Sequence, residues 1–380
     1  MTFLRRCGIL LFVENSDMGY SANLSGEKSE KRIVFQTIKF CAFRIYDANF
    51  RSGNRHKTLY LQEKGWLYSM YTVFSQVFTL FAFIAVGYAL AKFGIVKSEH
   101  SKILSSLLVF VFLPCNGYST FSGQFTAEYV KDKYVLLISG TVLLLLLAFG
   151  MHAVGKLFSK DKYEQGVYEY SLTLANYGYF GFAMTEGLLG SAGLMDFMMF
   201  TFPAVFYIYT YAYCMLTKSK VSLKRLLNPP MIAFFVGGAV GITGIQLPSV
   251  VDSIAAMGSS CMGPVSMLLT GIVMSDFKLA SLLTSKRSYA LSVLRLIVIP
   301  ITVGGILMAS GAALSLLDNA VFHSVFVCAV LLVSMPCGLN TIVFPRLVDE
   351  NCEIGASLAF VSNILACITI PLVLTLFGIS

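Results

Sequence analysis

Charge is what this sequence has least of. Only 13% of its 380 residues are Asp, Glu, Lys or Arg, about half the share expected of a soluble domain, and that scarcity excludes an ordinary water-soluble enzyme. The motifs of several chemistries are missing as well. There is no HExxH or GxGD, so a membrane-embedded hydrolase lacks its metal pair or acidic dyad. There is no GxxxxGK[ST], so an ATP-driven pump lacks its phosphate cradle. His152 and His323 stand at the ends of apolar runs, far apart in sequence, and the nine cysteines show neither CxxC nor zinc-type spacing with histidine. Cysteines such as Cys115, Cys214, Cys261, Cys328, Cys337 and Cys367 read as small packing residues. No cofactor and no metal is called for, and no nucleic-acid partner.

Apolar residues take the place of charge. They make up 56% of the chain, with 31 Phe and 16 Met, and the mean hydropathy is +0.74. From Met70 onward, apolar runs of about 20 residues recur between short polar connections, the length an α-helix needs to cross a bilayer. The runs do not alternate as barrel strands do. Hydropathy predicts ten spans, near 73–91, 103–121, 134–155, 167–189, 194–216, 229–246, 252–275, 288–310, 318–341 and 355–378. The connections leave no room for a soluble domain, so the work is done inside the bundle.

Connections after the odd-numbered spans carry 14 Lys and Arg, and those on the other side carry two, Lys131 and Lys133. The positive-inside bias then makes the odd connections cytoplasmic and puts both ends of the bundle outside a cell membrane. Residues 1–69, with 11 Lys and Arg against six Asp and Glu, break that pattern. They are expected to be a basic, disordered tail or an over-extended start, with Met70 as the natural initiator. A basic arm on anionic lipid is the alternative, and it would invert the orientation.

The chain also echoes itself. "VGYALAKFGI" at 86–95 aligns on "VGGAVGITGI" at 236–245 with five of ten positions identical, and the same offset of 150 carries Pro114 onto Pro264. An offset of 160 lays "NYG" at 176–178 over "PCG" at 336–338. The expected organisation is a first five-helix repeat over 70–217, a short basic cytoplasmic loop over 218–228 and a second repeat over 229–380. Five is odd, so the second repeat enters the membrane from the opposite side, as in secondary transporters.

Helix breakers mark the centre. Pro336 has no N–H and its ring clashes with the carbonyl of Leu332, so the ninth span breaks there. In lipid the freed backbone groups would each cost several kcal/mol, so the break faces protein or a cavity. Asn340 adds a polar side chain at that depth, and Asn176, Gly178 and Gly181 do the same in the fourth span. Two half-helices that start at such breaks each present unpaired N–H groups and a partial positive charge, which favours an anion such as a carboxylate. The candidate substrate-binding residues are Asn176, Tyr177, Gly178, Pro336, Gly338 and Asn340, with Tyr179 lining and Asn116 added from the second span. Gly87, Gly237 and Gly271 read as close-packing glycines, and Asn363 as an interhelical hydrogen bond. Arg295 lies about 13 Å into the bilayer at 1.5 Å per residue. It is either functional or snorkels back to the interface. Glu186 and Asp196 reach water, Asp276 pairs with Lys278, and no carboxylate lies clearly at the midplane.

The stretches "NYGYFGFAM", "NPPMIAFFVGGAVGI" and "VSMPCGLNTIVFPRLVDENCEIGASLAFVSNILACITIPLVLTLF" resemble the auxin efflux carrier family of membrane transporters, in its compact bacterial branch, over residues 70–380. The resemblance implies an all-α membrane protein of ten transmembrane helices as two inverted five-helix repeats with crossed broken helices. It also implies a scaffold domain, a transport domain and a small organic anion bound at the crossing. Bacterial members are linked to dicarboxylates such as malonate or malate, and plant members to auxin. Pro336 matches the ninth-helix crossing proline, whereas Asn176 stands where the first-half proline is expected. A sodium-coupled bile-acid-type symporter or sodium/proton antiporter is the alternative. Na+ or H+ is the candidate coupling ion, and a homodimer the candidate assembly.

Overall fold

The computed structural model describes residues 74–75, 77–220, 227–277, 284–314, 319–348 and 350–379, all within one compact unit of the chain, Trp66–Ser380. The expectations for residues 1–69, Met70, Lys224, Arg225 and Lys278 lie outside these residues.

Among the described residues the backbone is helical, apart from one isolated antiparallel bridge. In chain order the helices are α1 (Val77–Lys92), α2 (Ser101–Gln124), α3 (Ala127–Phe158), α4 (Lys162–Thr173), α5 (Tyr177–Thr217), α6 (Pro229–Thr243), α7 (Ser249–Met274), α8 (Lys286–Ala313), α9 (Ala320–Ser334), α10 (Asn340–Leu347) and α11 (Glu353–Leu376). Six of them, α2, α3, α5, α7, α8 and α11, are long and apolar enough to cross a membrane, and α1, α6 and α9 are shorter apolar helices. The 41-residue run of α5 is interrupted at Gly190 (φ 71°, ψ −172°), between the two runs into which hydropathy divides it. Only glycine adopts that φ at no steric cost.

Helix starts follow from local chemistry. Thr126, Asp161, Asn228, Ser285 and Asn319 each accept a backbone N–H of the first turn with a side-chain oxygen, which satisfies a donor the helix itself leaves free. Asn228 is followed by Pro229 and Pro230, residues whose missing N–H does no harm in the first turn. Gly244 in the left-handed region (φ 66°) ends α6.

Outward faces of the long helices are apolar. Val142, Leu145, Leu146 and Phe149 on α3, Ile301 and Ile306 on α8, and Val250, Ile254 and Met257 on α7 are all exposed. A surface of this kind fits hydrocarbon, where packing and backbone satisfaction replace the hydrophobic effect. Small residues bring the helices together. A Cβ at Gly87 of α1 would stand 2.2 Å from the Leu268 carbonyl oxygen of α7, and one at Gly271 of α7 would stand 2.0 Å from that of Ile84. A Cβ at Gly237 of α6 would lie 2.9 Å from the Tyr118 carbonyl oxygen of α2. All three glycines sit where backbone meets backbone, as the sequence leads one to expect.

The polar ends of the bundle are pinned by ion pairs. Lys218 meets Glu350 at 2.8 Å, Arg287 meets Glu164 at 3.2 Å, and Arg346 pairs with Asp276. Arg346, brought in by α10, is a partner of Asp276, whose expected pairing with Lys278 lies outside the described residues. Asp196, expected to reach water, keeps 17% of its side chain exposed and also accepts from Lys133 at 2.8 Å and Tyr129 at 2.9 Å.

Candidate functional site

Helix α4 stops at Thr173 and α9 stops at Ser334. Each is followed by extended backbone, at Leu174 (φ −113°, ψ 123°) and Met335 (φ −70°, ψ 151°). The two extended stretches run antiparallel and pair, Ala175 opposite Cys337, with the Asn176 N–H donating to the Pro336 carbonyl at 2.9 Å. Both chains then return to helix, α5 from Tyr177 and α10 from Asn340. The segments around Asn176 and Pro336 are therefore broken and in contact.

The first half breaks without a proline. In an unbroken helix the Asn176 N–H would bond the Leu172 carbonyl four residues back, but here it turns across to Pro336. On the other strand Pro336 has no N–H for Leu332. Two carbonyls, Leu172 and Leu332, thus lose their helical partners for two different reasons. Arg295 of α8 serves both: Nη1 donates to Leu172 O at 2.7 Å, Nη2 to Leu332 O at 2.9 Å, and Nε to Met335 O at 3.3 Å. Its side chain is 0% exposed, so it does not snorkel. A full positive charge sits at the carboxyl ends of α4 and α9, where both helix dipoles are negative, and the rigid fork of the guanidinium spans two carbonyls that a point charge could not.

At the crossing is a cavity of about 50 Å³. Asn176, Tyr177, Gly178, Gly338 and Asn340 line it, with Tyr170, Tyr179, Tyr209, Leu339, Pro230 and Phe234 among the others. Five of the seven candidate residues are brought together. Pro336 is not in the lining; its contribution is the break and the carbonyl that holds Asn176. Asn116 is elsewhere, in a second cavity described below.

Polar satisfaction around the first cavity is incomplete. Asn176 is 2% exposed, yet neither its Oδ1 nor its Nδ2 has a partner. Asn340 Nδ2 donates to the Tyr170 hydroxyl at 2.8 Å, leaving its Oδ1 without one. Buried amides are almost always paired, and an orphan aimed into a cavity is the ordinary signature of a missing ligand or water. The N–H groups of Tyr177, Gly178 and Tyr179 precede the first bonds of α5, Phe180 N and Gly181 N to Asn176 O. The two glycines differ. A Cβ on Gly178 would meet nothing within 4 Å, so this residue faces open space. One on Gly338 would fall 2.8 Å from Tyr170 Cε1 and 3.2 Å from the Leu174 carbonyl oxygen, so Gly338 is there to let the two breaks approach.

Glu169 is a buried carboxylate that the sequence reading did not single out. It is 5% exposed, two turns before the break in α4, and is held by His152 Nδ1 at 2.7 Å and the Tyr207 hydroxyl at 3.1 Å. Asn363 also differs from expectation: its Nδ2 bonds Ala359 O in its own helix at 2.7 Å, not a neighbouring one.

Known proteins bear on this arrangement. The model of the membrane transport protein family matches residues 72–224 and 215–374. An uncharacterized transporter of Methanothermobacter thermautotrophicus is 23% identical over 312 residues, 78% of this chain and 95% of that protein. An uncharacterized transporter of Methanocaldococcus jannaschii is 28% identical over 113 residues, and one of Saccharomyces cerevisiae 29% over 82 residues. These two matches take in 29% and 22% of this chain, and 36% and 14% of the respective relatives. With the family model covering most of the chain and apolar helices throughout, the chain belongs to the membrane transport protein family, that of the auxin efflux carriers, and is a multi-pass membrane transporter.

Proposed function

We propose that the protein is a secondary carrier that moves a small organic anion across the cell membrane by alternating access, binding it at the crossing of the two broken helices. The observation that carries this reading is the Asn176 amide, buried in the crossing cavity with both polar atoms unpartnered. Among the described residues no charged side chain lines that cavity, while the amino ends of α5 and α10 adjoin it, so the field there favours negative charge. The cavity is small, with room for only a few waters. A carboxylate of several heavy atoms therefore needs the surrounding helices to part, as a carrier that exposes its site to one side at a time requires.

Ten helices in two inverted repeats are supported by packing that recurs at a fixed offset. Gly87 packs on Leu268 and Gly237 on Tyr118; both members of the second pair are 150 residues removed from their counterparts in the first. Leu172 and Leu332, the two carbonyls held by Arg295, are 160 apart. The 14-to-two bias of Lys and Arg supports cytoplasmic odd connections.

The test is counterflow in proteoliposomes with a panel of mono- and dicarboxylates. Asn176→Ala and Asn340→Ala are each expected to weaken binding of any transported anion by about tenfold or more, the effect of losing one or two buried hydrogen bonds. Unchanged affinity and rate in both variants would overturn the site.

A further inference from the structure

Asn116 leads to a second site. It is 2% exposed, its Nδ2 donates to Ser259 Oγ at 2.8 Å, and its Oδ1 has no partner. It lines a cavity of about 290 Å³ between α2, α5 and α7, together with Glu186, Ser259, Ser260 and Pro264. The polar side chains that line it offer mainly oxygens. Glu186 contributes a carboxylate at the exposed mouth, and Asn116 an unused amide oxygen at the buried floor. Among the described residues no Lys, Arg or His lines the space. A lining that offers a carboxylate and neutral oxygens, with no basic side chain, disfavours anions and suits a hard cation. One carboxylate, with neutral oxygens beside it, balances a single positive charge; among the described residues no cluster of three or more His, Cys, Asp or Glu exists that would suit a multivalent metal.

We propose that this cavity binds a monovalent inorganic cation, with Glu186, the Asn116 Oδ1 and the Ser259 hydroxyl as its protein oxygens. The volume leaves room for the ion to keep several of its waters. The cavity adjoins the crossing: Leu113 and Phe182 line the first cavity, Asn116 and Glu186 the second, about one turn further along the same two helices. A cation held there attracts an anion at the crossing, which would make it the coupling ion of the carrier. That role rests on the function proposed above, whereas the binding itself does not.

The experiment is thermal unfolding of the purified full-length protein in detergent, titrated with NaCl, KCl or choline chloride at constant ionic strength and without organic anion. Sodium, potassium or both should raise the midpoint saturably while choline does not, because a ligand that binds only the folded state stabilises it. Glu186→Gln trades a charged oxygen for a neutral one and should raise the half-saturating concentration about tenfold or more. Ser259→Ala should raise it less. Glu186 stands at the exposed mouth, so its variant is expected to fold normally. Equal midpoints in all three salts would overturn the proposal, as would a cation effect that survives Glu186→Gln. Stabilisation that follows falling pH and ignores the metal ion would also overturn it, assigning Glu186 to a proton instead. Asn176→Ala should keep the cation effect while it weakens anion transport, so unchanged anion transport with cation binding intact would count against the crossing site alone.

Discussion

Replacing Arg295 with methionine tests the architecture of the crossing most directly. Methionine roughly fills the volume but donates nothing, so the carbonyls of Leu172 and Leu332, held at 2.7 and 2.9 Å, are left buried and unpaired at about 1–3 kcal/mol each. The third bond, at 3.3 Å to Met335, is near the limit of a hydrogen bond and adds little. Against this, the variant no longer has to bury a charge, and such relief offsets part of the loss. A net destabilisation of about 2–4 kcal/mol follows, which for a chain of this size lowers the unfolding midpoint by roughly 4–10 °C. The assay is a melting curve of the full-length protein in detergent beside anion binding. Arg295→Lys keeps the charge but cannot fork to two carbonyls, so its midpoint should lie between those of the wild type and Arg295→Met. Pro336→Ala restores the N–H that Leu332 lacks, so adding it to Arg295→Met should recover part of the stability while anion binding stays lost. The two substitutions should therefore be non-additive, as neighbours sharing a partner are. Should Arg295→Met melt within about 1 °C of the wild type, or the pair prove additive, the clamp is not what holds the breaks.

Gly178→Ala should leave the midpoint unchanged, since its Cβ meets nothing within 4 Å, yet fill part of a 50 Å³ cavity and weaken anion binding; unchanged affinity would count against the site. Gly338→Ala should do the reverse, destabilising by about 1–3 kcal/mol through contact with Tyr170 and the Leu174 carbonyl, read in the same melting assay. Gly271→Ala, whose Cβ would fall 2.0 Å from the Ile84 carbonyl oxygen, forces α1 off α7 and should lower the yield of folded protein on size-exclusion chromatography. Glu169→Gln keeps an acceptor for the Tyr207 hydroxyl, whereas Glu169→Leu strands both it and His152. The leucine variant should therefore melt lower than the glutamine one, by an amount matching about 1–3 kcal/mol.

The break in the second half was legible because its cause is local: Pro336 removes one donor, and Gly338 and Asn340 mark the following turn. Its cavity residues followed from adjacency in sequence. Asn176 was legible as polar and near the break, but not as the residue whose own N–H crosses to the other strand, because that bond joins positions 160 residues apart. Arg295 showed its depth and not its direction. Whether a long side chain snorkels or turns inward depends on which carbonyls the neighbouring helices leave free, and those belong to α4 and α9. Glu169 escaped notice because it lies near the start of its span, next to the polar connection, where hydropathy predicts solvent; burial by α3 and α5 is a tertiary fact. Asn116 was placed with the other candidates because the second span flanks the crossing, and one helical turn was enough to put it in a different cavity.

The guanidinium of Arg295 touches Leu172 and Leu332 alike, and these are equivalent positions of the two proposed halves. An object contacted identically by both halves of a twofold arrangement lies on the axis itself. Only one side chain fits on an axis, so a matching arginine from the first half would occupy the same point in space. The most symmetric location in the molecule must then be filled by its least symmetric residue, and a search for internal repeats by residue identity is blind at the very place where the repeats meet.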